Sequence, residues 1–149
     1  MKVVIALGAN LGDPRTQISL AIDALRDIMK VVRVSSLYET APFKVNDQQP
    51  NYINAVLIGD TEFQPKELIR ELLKVEATLG RQRTIPKAAR TIDIDIIDYE
   101  GRFFESEELT LPHPRAHERR FVLQPWAEID PGAELLGYGP IKELLAALE

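Results

Sequence analysis

The sequence predicts an α+β fold in which helices pack on an antiparallel sheet. Three observations lead to this prediction. The apolar residues switch several times between the period of a strand and that of a helix. The predicted elements follow the order β-α-β-β-α-β, which mixes both kinds along the chain. The 149 residues, 45% of them hydrophobic and 28% charged, are enough to bury one core, so we expect a single domain over residues 1–149.

The first strand and the first helix are the clearest elements. Residues 2–8 form an apolar run rich in β-branched side chains, which predicts a buried strand. Asp13 is placed to cap the following helix, and Pro14 suits its first position, where a missing N–H costs nothing. Apolar residues then recur at every third or fourth position to about residue 30, which predicts one core-facing stripe.

A glycine-containing turn, Gly-Ala-Asn-Leu-Gly over residues 8–12, joins this strand to this helix. Phosphate-binding loops often occupy such a position. This turn lacks the Gly-Lys-Ser/Thr ending of a Walker A loop and the three-glycine spacing of dinucleotide-binding turns. We therefore interpret it as structural.

The later elements are predicted on the same grounds. They are strands over 31–38, 52–58 and 91–99, and helices over 65–80, 121–129 and 141–148. A polar loop with two prolines, residues 40–51, separates the second and third strands. This order matches the ferredoxin-like arrangement, which we expect to have helices on one face of an antiparallel sheet. Because many functions share that arrangement, the site residues must decide the function.

The composition excludes several classes of function. The chain has no cysteine, which excludes disulfide frameworks, thiolate zinc sites and thiol nucleophiles. Its formal net charge of -5 would repel a polyanion, so we expect no nucleic-acid partner. No apolar run approaches the roughly 20 residues that a membrane helix needs. We therefore expect a cytoplasmic protein with no membrane partner.

Asp93 and Asp95 form the most informative pattern. In a strand, alternate side chains share a face, so the two carboxylates project together, with Cα atoms about 6.6–6.8 Å apart. Two magnesium ions could each take oxygen ligands from such a pair and keep positions for water and phosphate. The alternative is an amphipathic strand with one wet face, although Asp is disfavoured in strands.

A basic segment precedes the acid pair. Residues 81–90 contain no acidic side chain and four basic ones, Arg81, Arg83, Lys87 and Arg90. Beside the two acids, this segment suits a site where metal and guanidinium groups share a polyphosphate, and a solvated basic loop is the alternative. Glu76, one turn before Gly80, is placed either to hold an arginine of this segment or to lie exposed on its helix.

Both histidines of the chain lie four positions apart, the spacing of a metal site on a helix. Pro112 and Pro114 disfavour helical geometry there, and no cysteine or further histidine is available to complete a zinc site. We favour hydrogen bonding to phosphate by His113, Arg115 and Arg119, with charge on a helix surface as the alternative for Arg115 and Arg120.

Together these segments resemble one family, 6-hydroxymethyl-7,8-dihydropterin pyrophosphokinase of folate biosynthesis. The resemblance covers nearly the whole chain, and its last two motifs are the most specific. The motifs are Gly8-Ala9-Asn10-Leu11-Gly12, Tyr38-Glu39-Thr40-Ala41-Pro42, Asn51-Tyr52-Ile53-Asn54-Ala55, Glu76 with Gly80-Arg81, Arg90-Thr91-Ile92-Asp93-Ile94-Asp95, and Pro112-His113-Pro114-Arg115 through Phe121-Val122-Leu123.

The resemblance implies transfer of the pyrophosphoryl group of ATP to the hydroxymethyl oxygen of the pterin, with release of AMP. It implies two magnesium ions, bound with ATP on Asp93 and Asp95, and these acids with Arg81 and Arg90 as catalytic residues. The implied pterin-binding residues are Thr40, Pro42, Tyr52, Asn54 and Phe121. The implied ATP-binding residues are Glu76, Arg81, Arg83, Arg90, Ile96, Thr110, His113 and Arg119. ATP and the dihydropterin are the expected partners of a protein that we expect to be a monomer.

The sequence departs from the family at a few positions. Many members carry a Trp-Gly-Pro-Arg run before the acid pair, whereas this chain has Ile-Pro-Lys-Ala-Ala-Arg over residues 85–90. Pro114 stands where some members have Tyr. Leu73 and Glu108 replace polar and basic residues that some members use around ATP. These differences bear on affinity and loop closure rather than on the reaction.

On the residues alone, two other classes of protein stay open. A ligand-binding or regulatory module would share the fold without needing the acids and arginines to converge. A different magnesium-dependent phosphotransferase or nucleotidyltransferase would share that convergence and form a different product.

Overall fold

The computed structural model of the chain describes residues 1–41, 51–80 and 92–148. Its strands are β1 (Lys2–Ala9), β2 (Lys30–Val34), β3 (Tyr38–Thr40), β4 (Tyr52–Asp60), β5 (Asp93–Tyr99), β6 (Phe104–Glu105), β7 (Thr110–Leu111), β8 (Glu134–Leu135) and β9 (Gly139–Pro140). Its helices are α1 (Pro14–Arg26), α2 (Pro65–Gly80), α3 (Arg120–Ile129) and α4 (Ile141–Ala147), with a 3-10 turn at Ala116–Glu118.

The main sheet has the strand order β2-β4-β1-β5, and β3 also pairs with β4. Each of these pairings is antiparallel. β1 therefore lies between β4, which carries Tyr52 and Asn54, and β5, which carries the predicted metal ligands. The α+β class and the antiparallel sheet predicted from the sequence are confirmed.

Helices cover both faces of this sheet, which corrects the expectation of helices on one face. Val3, Ile5 and Leu7 of β1 belong to the core that α1 and α2 cover. Val4 and Ala6, which point to the opposite face, belong to a second core covered by α3 and α4. The sheet is apolar on both sides, so a helical layer on each side is needed to keep it from water.

Helix α1 begins as predicted and ends earlier. Asp13 accepts hydrogen bonds from the Thr16 N–H at 3.3 Å and from the Thr16 hydroxyl at 2.7 Å. The helix ends at Arg26, about one turn before the predicted end. Met29 reaches the core from the turn that follows and packs where Gly59 has no side chain, because a Cβ at Gly59 would lie 2.5 Å from the Met29 sulfur.

The single strand predicted over 31–38 is two strands, β2 and β3, because Ser35 interrupts it. The Ser35 N–H donates to the Val56 carbonyl at 2.9 Å, and the Ser35 hydroxyl accepts from the Val56 N–H at 2.9 Å. A side-chain oxygen thus takes the place of a main-chain acceptor. Regular pairing resumes only at Tyr38.

The structure adds short elements that the sequence did not predict. β6 pairs with β7, and β8 pairs with β9, each as a two-residue hairpin arm. Elements of this length carry no apolar period, so no pattern indicates them. Within residues 1–41, 51–80 and 92–148, no helix combines the length and the apolar character needed to cross a bilayer.

Candidate active site

Strand β5 presents Asp93 and Asp95 on one face, as the sequence predicted. Ile94, between them, is buried in the core under α1 and α2, whereas the aspartates are half-buried on the other face. The register pairs Asp93 with Gly8 and Asp95 with Ala6 of β1. The neighbours of both acids on β1 are therefore small, so no long side chain on that strand stands beside the carboxylates.

A β-bulge follows the acids. The register shifts between Val4 and Ile5 of β1, so Ile97 has no partner on that strand. Ile97 belongs to the second core, whereas Tyr99 belongs to the first. Asp98, between them, is buried. The alternation predicted over the whole strand therefore holds only as far as the bulge.

A row of residues crosses the sheet from the acids to β4. The register pairs Asp93 with Gly8, and Gly8 with Asn54. Neighbouring strands lie about 4.7–4.9 Å apart, so the backbones of Asn54 and Asp93 are roughly 10 Å apart, with Gly8 between them. Two residues away on the same face, Tyr52 pairs with Thr40 of β3. The acids and three of the predicted pterin-binding residues thus share one face of the sheet.

The Asn54 side chain has a defined orientation in this row. It is buried, and its amide nitrogen donates to the Thr40 hydroxyl at 2.8 Å. Its Oδ1 is directed toward β1, where a Cβ built on Gly8 would lie 3.1 Å from it. Within the described part of the chain, this oxygen accepts no hydrogen bond. The amide therefore offers an acceptor to a ligand lying on the sheet.

Helix α3 packs on the same face and carries Phe121 in its first turn. Phe121 is 36% exposed, and the Arg119 guanidinium lies 5.5 Å from the centroid of its ring.

Glu128 lies on α3 two turns after Phe121. It accepts hydrogen bonds from the Tyr38 hydroxyl at 2.7 Å and the Ser36 hydroxyl at 2.8 Å. Burial and the Glu128 contact raise the pKa of Tyr38 to about 12, so its hydroxyl remains a donor at neutral pH. These bonds tie α3, and with it Phe121, to β3.

His113 lies beside β5 close to the acid pair. The main-chain N–H of His113 donates to the Ile97 carbonyl at 2.9 Å. Burial lowers the pKa of the imidazole below its ordinary value, against the opposing influence of the Asp95 carboxylate. The His113 Nδ1 accepts from the Arg115 N–H at 3.2 Å, so in the neutral ring the proton is on Nε2. His113 can therefore donate a hydrogen bond to an anionic ligand beside Asp95.

Glu76 is buried under the edge of β5 rather than exposed on its helix. Its Oε2 accepts a hydrogen bond from the Ile94 N–H at 2.7 Å. Ile94 stands between the two acids, so this bond holds the segment that carries them. A contact between Glu76 and ATP stays a prediction.

Ile96 and Thr110 lie near the open edge of the sheet. The Ile96 side chain is buried in the first core. Its main chain points to the same edge as the Ile94 N–H, because it follows Ile94 by two residues in an edge strand. Thr110 is exposed in β7, which packs beside β5. Any contact of Ile96 with a nucleotide therefore uses the main chain.

Four of the predicted site residues fall outside the described residues. They are Pro42, Arg81, Arg83 and Arg90. Their assigned roles stay predictions. Lys87, in the same basic segment, also falls outside.

Sequence reasoning missed two contributors to the site. Gly8, interpreted as part of a structural turn, lies within β1 between Asn54 and Asp93. A glycine inside a strand is itself a signal, because it often marks a close approach of a ligand or another backbone. The bonds from Tyr38 and Ser36 to Glu128 had no such signal, since those residues are far apart in sequence.

Comparison with known proteins finds the same family that the sequence motifs resemble. Residues 4–131 match the family model described as 7,8-dihydro-6-hydroxymethylpterin-pyrophosphokinase. The 2-amino-4-hydroxy-6-hydroxymethyldihydropteridine pyrophosphokinase of Methylorubrum extorquens is 38% identical over 99% of this chain and 94% of that protein. The protein of the same name from Bacillus subtilis is 40% identical over 84% of this chain and 75% of its own length.

Other relatives are much longer than this chain. The folic acid synthesis protein fol1 of Schizosaccharomyces pombe is 41% identical over 85% of this chain, which spans 18% of that protein. The crystal structure of wild-type Plasmodium falciparum HPPK-DHPS gives a TM-score of 0.77 at 13% identity, covering 98% of this chain and 40% of that one. The structural likeness shows a shared fold, and the sequence matches show more: the chain belongs to the 7,8-dihydro-6-hydroxymethylpterin-pyrophosphokinase family.

Proposed function

We propose that this protein transfers the pyrophosphoryl group of ATP to the hydroxymethyl oxygen of 6-hydroxymethyl-7,8-dihydropterin in folate biosynthesis. The observation that carries the proposal is the row across the sheet, in which the acids of β5 and the Asn54 amide share one face on either side of Gly8. A metal-bound polyphosphate and a flat heterocycle can then lie side by side. Relatives that match over most of their length are named for this activity.

In the proposed reaction the hydroxymethyl oxygen bonds to the β-phosphorus of ATP. The bond from that phosphorus to the α,β-bridging oxygen breaks, and AMP leaves with the bridging oxygen. The hydroxyl proton is released as the new ester bond forms. Such a transfer needs alignment and charge neutralisation more than a protein nucleophile, so positioned acids and donors suffice.

We propose Asp93 and Asp95 as the ligands of two magnesium ions that bind with ATP. Two carboxylates on one face suit a cation that prefers oxygen ligands and shares its coordination with waters and substrate phosphates. In the ranges that the structure describes, no cluster of three or more acidic or histidine side chains forms an all-protein metal cage. When bound, magnesium would neutralise charge on the phosphate oxygens.

For the pterin, we propose a pocket formed by Thr40, Pro42, Tyr52, Asn54 and Phe121. The Asn54 Oδ1 would accept from the polar edge of the heterocycle, while the Thr40 hydroxyl holds the amide in that orientation. The rings of Tyr52 and Phe121 would stack on the two faces of the pterin. The bonds from Tyr38 and Ser36 to Glu128 support this arrangement, because they fix the helix that carries Phe121.

We propose that the nucleotide lies along the open edge of β5. His113 and Arg119 would donate to phosphate oxygens, and the Ile96 main chain and Thr110 would contact the adenine end. Arg81, Arg83 and Arg90 would supply further charge for the phosphates, with Arg81 and Arg90 acting at the transferring group. Glu76 would contribute to the ATP site indirectly, because it lies beneath the strand that carries the acids and bonds to it.

The proposal also covers the topology, the domain organisation, the oligomeric state and the cellular location of the protein. The strand order β2-β4-β1-β5 supports a ferredoxin-like topology for the segment from β1 to β5. We also propose a single domain over residues 1–149, a monomer, and a cytoplasmic location. Nucleic acid and membrane are not among the proposed partners.

The test is incubation of the protein with ATP and magnesium, with and without the dihydropterin, followed by separation of nucleotides and phosphorus NMR of the pterin product. We expect AMP and a pterin diphosphate in equal amounts, and neither without the pterin. Inorganic pyrophosphate with a nucleotidyl product would instead identify a nucleotidyltransferase. Binding of both ligands without turnover would identify a ligand-binding module.

A further inference from the structure

Gly8 occupies the crossing point between the two halves of the site. It is paired with Asn54 on one side and Asp93 on the other. Under the proposed function, the pterin lies over the Asn54 side and the metal-bound phosphates over the Asp93 side. The reacting oxygen and phosphorus must therefore meet above the β1 backbone at or near Gly8.

A side chain at this position would enter that space. A Cβ on Gly8 would lie 3.1 Å from the Asn54 Oδ1, closer than ordinary van der Waals contact, and 4.0 Å from the Ile53 carbonyl oxygen. The methyl group would stand against the acceptor that Asn54 offers to a ligand. The Asn54 amide would have to give way by a few tenths of an ångström, which displaces the acceptor while its 2.8 Å bond to Thr40 holds it near its place.

The backbone gives no other reason for glycine here. Gly8 is part of a regular antiparallel register on both sides and does not have the positive φ found at Gly12. The Ile53 main chain is at ordinary contact distance from the added Cβ. Since glycine in a strand is less favourable than alanine, an alanine would be preferred if only the fold were at stake.

We infer that Gly8 is a specificity-determining residue of this site: its missing side chain keeps open the strip of sheet over which the hydroxymethyl group of the pterin approaches the phosphate. The inference rests on the proposed function and extends it to a residue that neither binds metal nor donates a hydrogen bond from a side chain. Its role is to admit the pterin at the depth where the transfer occurs.

The test compares Gly8→Ala with the wild-type protein and with Gly132→Ala. Gly132 is a matched control, because it also lacks a positive φ and a Cβ there meets no atom within 4 Å. Three quantities are measured for each: kcat/KM with the pterin varied at saturating magnesium and ATP, the Kd of a non-hydrolysable ATP analogue with magnesium, and the Tm.

For Gly8→Ala we expect kcat/KM for the pterin to fall at least tenfold, the Kd of the analogue to stay within twofold, and the Tm to be equal to or above that of wild type. We expect Gly132→Ala to leave all three unchanged. A Gly8→Ala protein with wild-type kcat/KM would overturn the inference, as would one that is unfolded or melts earlier, since glycine would then serve packing. Formation of AMP by the wild-type protein is a separate result, so failure of the proposed function is distinguishable from failure of this inference.

Discussion

The Glu76 carboxylate and the Ile94 N–H form a 2.7 Å hydrogen bond between helix α2 and the outer edge of β5. The bond is buried, and it connects to the strand at the residue between Asp93 and Asp95. An edge strand has no further strand to hold its outward N–H groups, so the helix supplies the missing acceptor. The separation and direction of the two acids therefore depend on a residue from another element.

Replacement of Glu76 should destabilise the protein and disturb the acids. Glu76→Ala leaves the Ile94 N–H buried without this acceptor, at a cost of about 1–3 kcal/mol in the free energy of unfolding. Urea denaturation measures this loss. Glu76→Gln is the control, because its amide oxygen can still accept the bond, and we expect it to lose less than half as much. Equal losses in the two variants would show that charge, not the hydrogen bond, is what matters.

Loss of either aspartate should abolish turnover without unfolding the protein. Asp93→Ala and Asp95→Ala each remove a proposed magnesium ligand, and the lost repulsion between the two carboxylates offsets part of what either substitution costs. We expect kcat at saturating magnesium to fall by far more than tenfold, which corresponds to about 1.4 kcal/mol of barrier. Asp23→Ala, on the exposed face of α1, is the charge control. A variant that keeps a tenth of the wild-type kcat would contradict the two-metal assignment.

The pterin pocket predicts a selective loss of affinity. Asn54→Ala, Tyr52→Ala and Phe121→Ala should each weaken pterin binding by about 1–3 kcal/mol, because a lost amide or ring leaves its partner unpaired or unstacked. Binding of a non-hydrolysable ATP analogue should change by less than twofold. Isothermal titration calorimetry measures both.

Phe103→Ala is the control for these variants, since Phe103 is a 73% exposed aromatic residue that the proposed site does not use. We expect this substitution to change neither affinity. Unchanged pterin affinity in all three pocket variants would show that the pocket lies elsewhere.

Asp98 predicts a dependence of stability on pH. Burial raises the pKa of this carboxyl above its ordinary range, although the Gly101 N–H donates to it at 3.1 Å. The folded protein therefore binds this proton more tightly than the unfolded chain does. The contribution of Asp98 to stability is greatest at low pH and falls as pH rises from the unfolded value, about 3.9, through the raised folded pKa.

Asp98→Asn keeps an acceptor for Gly101 and removes the buried charge. We expect its free energy of unfolding at pH 7 to exceed that of wild type by more than the roughly 0.5 kcal/mol typical of surface substitutions. The difference should shrink toward pH 3. Denaturant titrations across this range measure it, with Asp23→Asn as the exposed control. A destabilised Asp98→Asn at pH 7 would show that the ionised carboxylate is compensated in the fold.

Local patterns predicted local features well. The alternation of apolar and acidic residues was enough to place Asp93 and Asp95 on one face, because strand geometry fixes the faces of neighbouring residues. Asp13 and Pro14 likewise gave the start of α1, since a capping bond forms within one turn. Both features depend only on residues close in sequence.

Features that depend on distant pairings were not predictable in the same way. The role of Gly8 follows from its register with Asn54 and Asp93, and no local pattern contains that register. The helix that contains Phe121 was predicted from its own apolar period. Which face of the sheet this helix covers depends on the sheet topology. The interruption at Ser35 between β2 and β3 depends on Val56, twenty-one residues away.

The bulge at Ile97 divides β5 into two segments whose side chains follow opposite alternations. Before the bulge, Asp93 and Asp95 face the site, beside their small neighbours on β1. Beyond it, Tyr99 is placed by the first core, where its hydroxyl donates to the Phe63 carbonyl. A protein engineer who transplants the acid pair into another sheet must therefore carry the bulge with it. Without the bulge, every residue after Ile97 would be turned to the wrong side of the new host.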